Sequence, residues 1–435
     1  MEQLTIFDEL CDEFKITKPI RLIELFAGYG SQAMALERLG ADFTHHKVIE
    51  FDRFAVNSYN AVHGTDFKVT DIRDIHAEDL EVMDTDKYCY IMTYSFPCTD
   101  LSVAGKMKGM KKGSGTRSGL LWEVERLLKE MSEIPQILLM ENVTQVHGKA
   151  NIEDFRQWIS FLESIGYQNF WQDLNAKNYG VAQNRNRCFM ISLLGNYSYN
   201  FPHPIPLKKK LKDYLEDNVN EKYYINNEKS DKLIKQLIDD DTLQQHNLGI
   251  QTCVKEFQND VKIIGQMDNM IDHTFESSNR VYDTDGVAPA MTTCGGGGLQ
   301  PKILEEQIPC KLNKMPEDHL VSLDNAKICG VNTPTASTVT SRYYKGIGAN
   351  RDNMCIVGQI SSNGSKQYRI RKLTPRECGR LMGVSDEDID KMAAVNSNTQ
   401  LYKQFGNSIV VDVLCAIFKQ LNIEQEKEKT ISCDE

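Results

Sequence analysis

The segment "PIRLIELFAGYGSQAMALERLG", Pro19 to Gly40, constrains the fold more than any other. An apolar run from Leu22 to Phe26 reads as a buried strand, Gly28 and Gly30 supply a tight turn, and Ala33, Leu36 and Leu39 repeat at helical spacing up to Gly40. Further apolar runs follow. "KVIEFD" ends in Glu50 and Asp52, "VTDIRDI" reads as a strand ending at Asp71, "KYCYIMTYSF" runs directly into Pro97 and Cys98, and "QILLMENV" is a buried strand ending at Glu141 and Asn142. In the helix after it, Asn151 can cap the amino end, Glu153 and Asp154 favour the dipole, and Ile152, Phe155, Ile159 and Leu162 line one face before Gly166. Strands alternating with helices imply an α/β fold, with a parallel sheet covered on both faces. Each polar residue singled out follows the carboxyl end of a strand, the edge along which open α/β sheets bind ligands.

The 435 residues suffice for one large domain and a smaller one, and 41% hydrophobic residues can fill a sizeable core. After about Phe201 the character changes, with prolines, a basic cluster and a charge-rich amphipathic stretch; from 260 to 360 short β-like pieces alternate with Gly, Asn and Asp. Helical patterning returns from "RKLTPRECGRLMG", and "QFGNSIVVDVLCAIFKQL" reads as a strongly apolar closing helix. "MEQLTIFDEL" has neither a basic nor an apolar signal region, and no run of about 18 apolar residues occurs, so neither secretion nor a membrane span is expected. The twelve cysteines show no CxxC pair and no Cys/His cluster at zinc spacing, which predicts reduced thiols and no metal. The net charge of −11 argues mildly against nucleic acid as a partner, yet "GKMKGMKKGSGTR", Gly105 to Arg117, holds five basic residues and no acid just beyond Cys98.

Several constellations can carry chemistry. In "ELFAGYGSQ" the glycine turn lets backbone approach a ligand, and Glu24 could hold a cationic or hydroxyl group; a plain βα connection would look the same. The GxG spacing lacks the third glycine of a dinucleotide site, while Glu50 stands where a carboxylate takes ribose hydroxyls, so a nucleoside without pyrophosphate fits better. Cys98 in "SFPC" could be a small core hydrophobe or a nucleophile; Pro97 fixes the approach of the chain, and the basic loop after it could supply positive potential and a lid. Glu141 in "MENV" must be paired, hydrogen-bonded or protonated if buried, and a raised pKa would let it donate a proton. Arg185 and Arg187 in "QNRNR" alternate and so point to one face of an extended segment.

In this order "ELFAGYGS", "VIEFD", "TDIRD", "SFPCTDLS", "MENV", "QNRNR", "RKLTPRECGRLMG" and "QFGNSIVVDVL" strongly resemble the DNA (cytosine-5)-methyltransferase family of bacterial or prophage type, over about residues 20–202 and 368–420. The resemblance implies a Rossmann-like mixed sheet that binds S-adenosylmethionine, with helices on both faces, and a smaller β-rich target-recognition domain. The implied boundaries are a catalytic domain at 18–202 and 366–425, a recognition domain at 203–365 and a tail at 426–435. Glu24, Phe26, Ala27, Gly28 and Gly30 would surround the methionine end of the donor, Glu50 its ribose and Asp71 with Ile72 its adenine, with Pro97 nearby; Asn407 and Ser408 would return to complete the pocket, and the closing helix would pack beside the first strand and helix.

By the same resemblance, Cys98 would add as thiolate to carbon 6 of a flipped cytosine while Glu141 hydrogen-bonds or protonates ring nitrogen 3, and carbon 5 would then take the methyl group. A base, water in this reading, would remove the carbon-5 proton before β-elimination frees the thiol and S-adenosylhomocysteine leaves. Arg187, supported by Arg185, would hold the cytosine carbonyl oxygen and Glu141; Ser102, Lys106, Lys108, Lys111, Lys112 and Arg117 would meet DNA as the loop closes. The implied partner is double-stranded DNA, with pairing to a cognate restriction endonuclease and action alone both left open, and the implied setting is a monomer in the bacterial cytoplasm, chromosomal or phage-encoded. Thr99 departs from the glutamine many relatives carry after the cysteine. Three rivals remain: a transfer-RNA methyltransferase, a DNA-binding regulator without turnover and a nicotinamide oxidoreductase. The long segment 203–365 disfavours the first, intact Cys98, Glu141 and Arg187 the second, and the missing glycine the third.

Overall fold

The structure, a computed structural model, describes residues 12–98, 100–101, 109–225, 228–239, 261, 263–267, 280–290, 301–306, 353–360 and 366–423. They group into two compact units, one drawn from Met1–Leu174, Asn186–Pro204 and Ile409–Glu435, the other from Asn175–Arg185 and Ile205–Ser408. The segment expected to return from 366 thus divides at Ser408: its first part packs within the second unit, its last part within the first.

The first unit is built on a six-stranded sheet. Its strands are β1 (Ile20–Leu25), β2 (Phe43–Ile49), β3 (Cys89–Tyr94), β4 (Ile137–Asn142), β5 (Tyr167–Asn175) and β6 (Asn186–Leu194), in the spatial order β2-β1-β3-β4-β6-β5. The first four pair in parallel, and β6 runs antiparallel to β4. Burial explains the composition of the central strands: β3 and β4 are buried at every position, and β1 everywhere but Arg21. A strand covered on both faces has no solvent side to spend on polar residues. The buried polar exceptions are Glu24 in β1, Thr93 in β3, and Glu141 and Asn142 at the end of β4. Edge strand β2 is half-buried and correspondingly carries His45, His46 and Lys47.

Four helices follow strands in this unit: α1 (Ser31–Arg38), α2 (Arg53–His63), α3 (Leu121–Glu130) and α4 (Ile152–Ser164). Asp52 caps α2 by accepting from the Phe54 amide at 3.0 Å, and Gly64 ends it in the left-handed region. Asn151 does occupy the capping position of α4, but its side chain makes no cap bond; its amide donates to the Gln145 carbonyl instead. The strand expected to end at Asp71 does not form. Asp71 instead accepts from the Arg73 amide and opens a single 3-10 turn, Ile72–Asp74, the local alternative that aspartate offers a backbone in competition with strand pairing.

The closing apolar stretch is two helices, Asn398–Asn407 and Val411–Lys419, where the sequence reads as one. Ser408 lies between them in an extended conformation, and the Arg185 guanidinium takes the carbonyls of Gly406 and Ser408. Although Asn398–Lys419 has the length and apolar content of a membrane span, it is interrupted there, and 72% of its most apolar window is buried inside the protein. Val411–Lys419 packs on α1: Asp412 pairs with Arg38 at 3.4 Å and the Cys415 thiol lies 3.7 Å from the Ala35 carbonyl.

The second unit contains a mixed six-stranded sheet of Tyr224–Ile225, Ile263–Gln266, Arg280–Asp283, Pro301–Glu306, Asn353–Ile360 and Lys366–Lys372. Its last strand leads into the helix Pro375–Arg380, which Thr374 and Glu377 open with a reciprocal capping box. Glu377 also pairs with Arg371 at 2.8 Å, both side chains being fully buried.

Candidate active site

Parallel pairing aligns the carboxyl ends of the central strands. Leu25 is opposite both Ile49 and Tyr94, and Tyr94 is opposite Met140, so the residues just beyond each strand share one rim. After Tyr94 the chain continues through buried Phe96 to the partly buried Cys98. Its path is held at three consecutive carbonyls. The Asn142 amide donates to Phe96 at 2.9 Å, the Ser118 hydroxyl to Pro97 at 2.6 Å, and the Leu101 amide to Cys98 at 3.0 Å. The Arg117 amide adds a bond to the Asp100 carboxylate at 2.9 Å. The backbone carrying the thiol is therefore pinned from β4 and from the approach to α3.

Glu141 is the penultimate residue of β4, at 6% exposure. In the antiparallel register Glu141 faces Phe189 and Asn142 faces Cys188, which puts Arg187, two residues before Phe189, on the same face as Glu141. The Arg187 Nε lies 3.3 Å from Glu141 Oε1, with side-chain exposures of 13% and 8%. Arg185 is buried in the second unit, where its guanidinium donates to the Gly406 and Ser408 carbonyls at 3.3 and 2.5 Å.

The glycine turn is tightly specified. Phe26 adopts φ 58°, unusual for a residue with a side chain, and its amide is held by the Ile49 carbonyl at 2.8 Å; Ala27 is buried beside it. Gly28 at φ 60° donates its amide to Glu50 Oε2 at 2.9 Å, while the Asp52 amide donates to Glu50 Oε1 at 2.7 Å. Burial pushes the Glu50 carboxyl up and these amides hold it down. At Gly30, φ 85°, a Cβ would fall 2.4 Å from His63 Nε2, so only glycine fits. Below the turn Glu24 accepts a 2.5 Å bond from the Tyr59 hydroxyl, and its Oε1 is buried without a hydrogen-bond partner. Burial raises its carboxyl to about 7, against the opposing pull of that hydroxyl.

The remaining expected residues are more dispersed. Asp71 engages Arg73 through both carboxylate oxygens, at 3.0 and 2.5 Å, which lowers its pKa; Ile72 is a core residue. Asn407 is exposed and Ser408 partly buried, both in the second unit. Lys111 and Arg117 are exposed; Lys112 is tied at 2.5 Å to Glu125 and faces the Trp122 ring. Ser102, Lys106 and Lys108, like Thr99, lie outside the described residues. Sequence reasoning missed Tyr59 and Ser118, because no spacing rule links Tyr59 to Glu24 or Ser118 to Pro97.

The C-5 cytosine-specific DNA methylase family profile matches residues 20–422. The orphan methyltransferase M.SPBetaI of Bacillus phage SPbeta is 29% identical over 92% of this chain and 97% of its own length. Type II methyltransferase M2.ScrFI of Lactococcus lactis subsp. cremoris is likewise 29% identical, over 92% and 99%. The orphan methyltransferase M.SssI of Spiroplasma monobiae reaches 39% over a shorter span, 54% of this chain and 55% of that protein. Among solved structures, the Entamoeba histolytica methyltransferase EhMeth (TM-score 0.58, 15% identity, 93% of this chain and 98% of that one) and the S. pombe Dnmt2 methyltransferase (0.55, 18%, 92% and 98%) share the fold.

Proposed function

The chain belongs to the C-5 cytosine-specific DNA methylase family, and from that premise we propose that it methylates carbon 5 of a cytosine within a recognised duplex DNA sequence, with Cys98 as nucleophile and S-adenosylmethionine as methyl donor. The observation that carries this reading is the strand-end register, which aligns the ends of β3 and β4 so that Cys98 and Glu141 share one rim, with Arg187 on Glu141 at 3.3 Å.

The residues around the glycine turn fit the donor. Glu24 Oε1 is a buried carboxylate oxygen in need of a partner, which an amino-acid ammonium would supply, and a Cβ built on Gly28 meets nothing within 4 Å, so the turn is open. Each Glu50 oxygen accepts one amide and keeps acceptor capacity for ribose hydroxyls. Asp71, Ile72 and Pro97 are assigned to the same pocket. S-adenosylmethionine, when bound, supplies an electrophilic sulfonium methyl group for carbon 5.

The chain's own residues must make carbon 5 reactive. Cys98, as thiolate, forms a bond to carbon 6, and Glu141 hydrogen-bonds or protonates nitrogen 3, so that the ring electrons arrive at carbon 5 as an enamine. Arg187 orients the Glu141 carboxylate and faces the cytosine carbonyl oxygen. Loss of the carbon-5 proton to water then expels the thiolate and restores the ring. Because sulfur must approach carbon 6 from above the ring plane, the base leaves the duplex stack, at a cost of a few kcal/mol. Lys111 and Arg117 are exposed and can meet phosphates, whereas Lys112 must first exchange its ion pair with Glu125. The same reading has the protein act as a monomer in the bacterial cytoplasm.

The test is expression in a host lacking cytosine-5 methylation, with base-resolution mapping of 5-methylcytosine and a parallel assay on bulk transfer RNA. We expect a defined DNA motif to gain the mark, and duplexes carrying 5-fluorocytosine to trap the wild-type protein covalently but not Cys98→Ser. DNA without new 5-methylcytosine, or label appearing in transfer RNA alone, would refute the proposal.

A further inference from the structure

We propose that Glu37, His45 and His63 form a binding site for one divalent transition-metal ion of the zinc class. The three ligands come from three elements of the first unit: Glu37 from α1, His45 from β2 and His63 from the last turn of α2. Glu37 Oε1 is 3.0 Å from His63 Nδ1 and 3.7 Å from His45 Nε2, and all three ligand atoms lie within 4.8 Å of one another. Bonds of about 2.0–2.2 Å at tetrahedral angles set neighbouring ligand atoms roughly 3.3–3.5 Å apart, so the cluster needs only small adjustments to close on an ion.

The hydrogen bonds behind the rings favour the same assignment. His63 Nε2 is 3.1 Å from the Tyr29 carbonyl, which can only accept, so that nitrogen carries hydrogen. His45 Nδ1 is 2.7 Å from the Tyr59 hydroxyl, whose own hydrogen goes to Glu24, so Nδ1 donates as well. Both imidazoles therefore turn their other nitrogen towards Glu37. Outer partners that fix the tautomer in this way are the usual company of metal-binding histidines. The His63 ring is fully buried and seated in the space left by Gly30, whereas Glu37 is 47% exposed. An ion could enter from the Glu37 side and keep water in its open positions. No spacing motif announces this site, because its ligands converge only through the fold.

Cobalt(II) is the probe. The full-length protein, stripped by dialysis against chelator, is titrated with Co²⁺ and followed by its visible ligand-field bands; sulfur ligation by any of the twelve cysteines would be betrayed by a thiolate-to-cobalt charge-transfer band. We expect one Co²⁺ per chain without that band, displacement by Zn²⁺, and at least about tenfold weaker binding in both Glu37→Gln and His45→Gln. Thermal melts in chelator check the fold of each variant, and either one that folds suffices. Absence of saturable binding, a spectrum dominated by sulfur ligation, or unchanged affinity in a folded variant would overturn the proposal. None of these readouts depends on methyl transfer.

Discussion

Replacing Tyr59 by phenylalanine removes a single hydroxyl from beneath the proposed donor pocket and should move the pH at which that pocket binds. Burial raises the Glu24 carboxyl from an ordinary 4.5 to about 7; the Tyr59 hydroxyl, His63 and the Ala33 amide pull it down, and Glu37 pushes it up. A hydrogen bond to a charged group contributes about 1.5–3 kcal/mol. At roughly 1.4 kcal/mol per pKa unit, its loss lifts Glu24 by about one to two further units. If the ionised carboxylate receives the ligand's ammonium, affinity tracks the ionised fraction. At about pH 7.5 Tyr59→Phe should then bind S-adenosylhomocysteine roughly three- to twenty-fivefold more weakly than wild type, and the gap should close by about pH 10. Calorimetric titration across this range measures it, and the ligand's own amine titrates alike in both proteins, so their ratio isolates Glu24. A ratio independent of pH would refute the reasoning.

The stability linkage of the same group has a definite sign. A folded-state pKa raised above the unfolded value means that the folded protein holds the proton more tightly, so stability falls as pH rises from about 4.5 through 7. The full cost above that window is about 3 kcal/mol, and a bound ammonium would offset it.

Arg187→Ala takes the guanidinium from a nearly buried Glu141 and should destabilise the protein by about 3 kcal/mol as well as abolish turnover, measured by chemical denaturation and methyl transfer; unchanged stability would mean that the pair is idle. Gly30→Ala drives a Cβ to 2.4 Å from His63 and 2.7 Å from Tyr59 at φ 85°, and should lose about 1–3 kcal/mol in a thermal melt; a neutral result would show that the turn relaxes. Duplex DNA affinity should fall at least about tenfold between roughly 50 and 200 mM salt despite the net charge of −11, and a flat response in a binding titration would exclude a concentrated basic face.

Period and punctuation were enough to read the alternating elements of the first unit, because buried parallel strands must be apolar throughout and a GxG turn permits little else. Cys98 and Glu141 stand out in the sequence as reactive or polar residues at the end of an apolar run, and Arg187 as a charge just before one. Where a short-range bond overrides the pattern, the reading failed: Asp71 takes the Arg73 amide and forms a turn rather than a strand. A long-range bond accompanies the other departure, Arg185 taking the Ser408 carbonyl at the break between the two closing helices. Only the tertiary structure put Arg187 on Glu141, placed Tyr59 on Glu24 and gathered Glu37, His45 and His63, since each of these outcomes depends on strand register and helix docking between residues far apart in the chain.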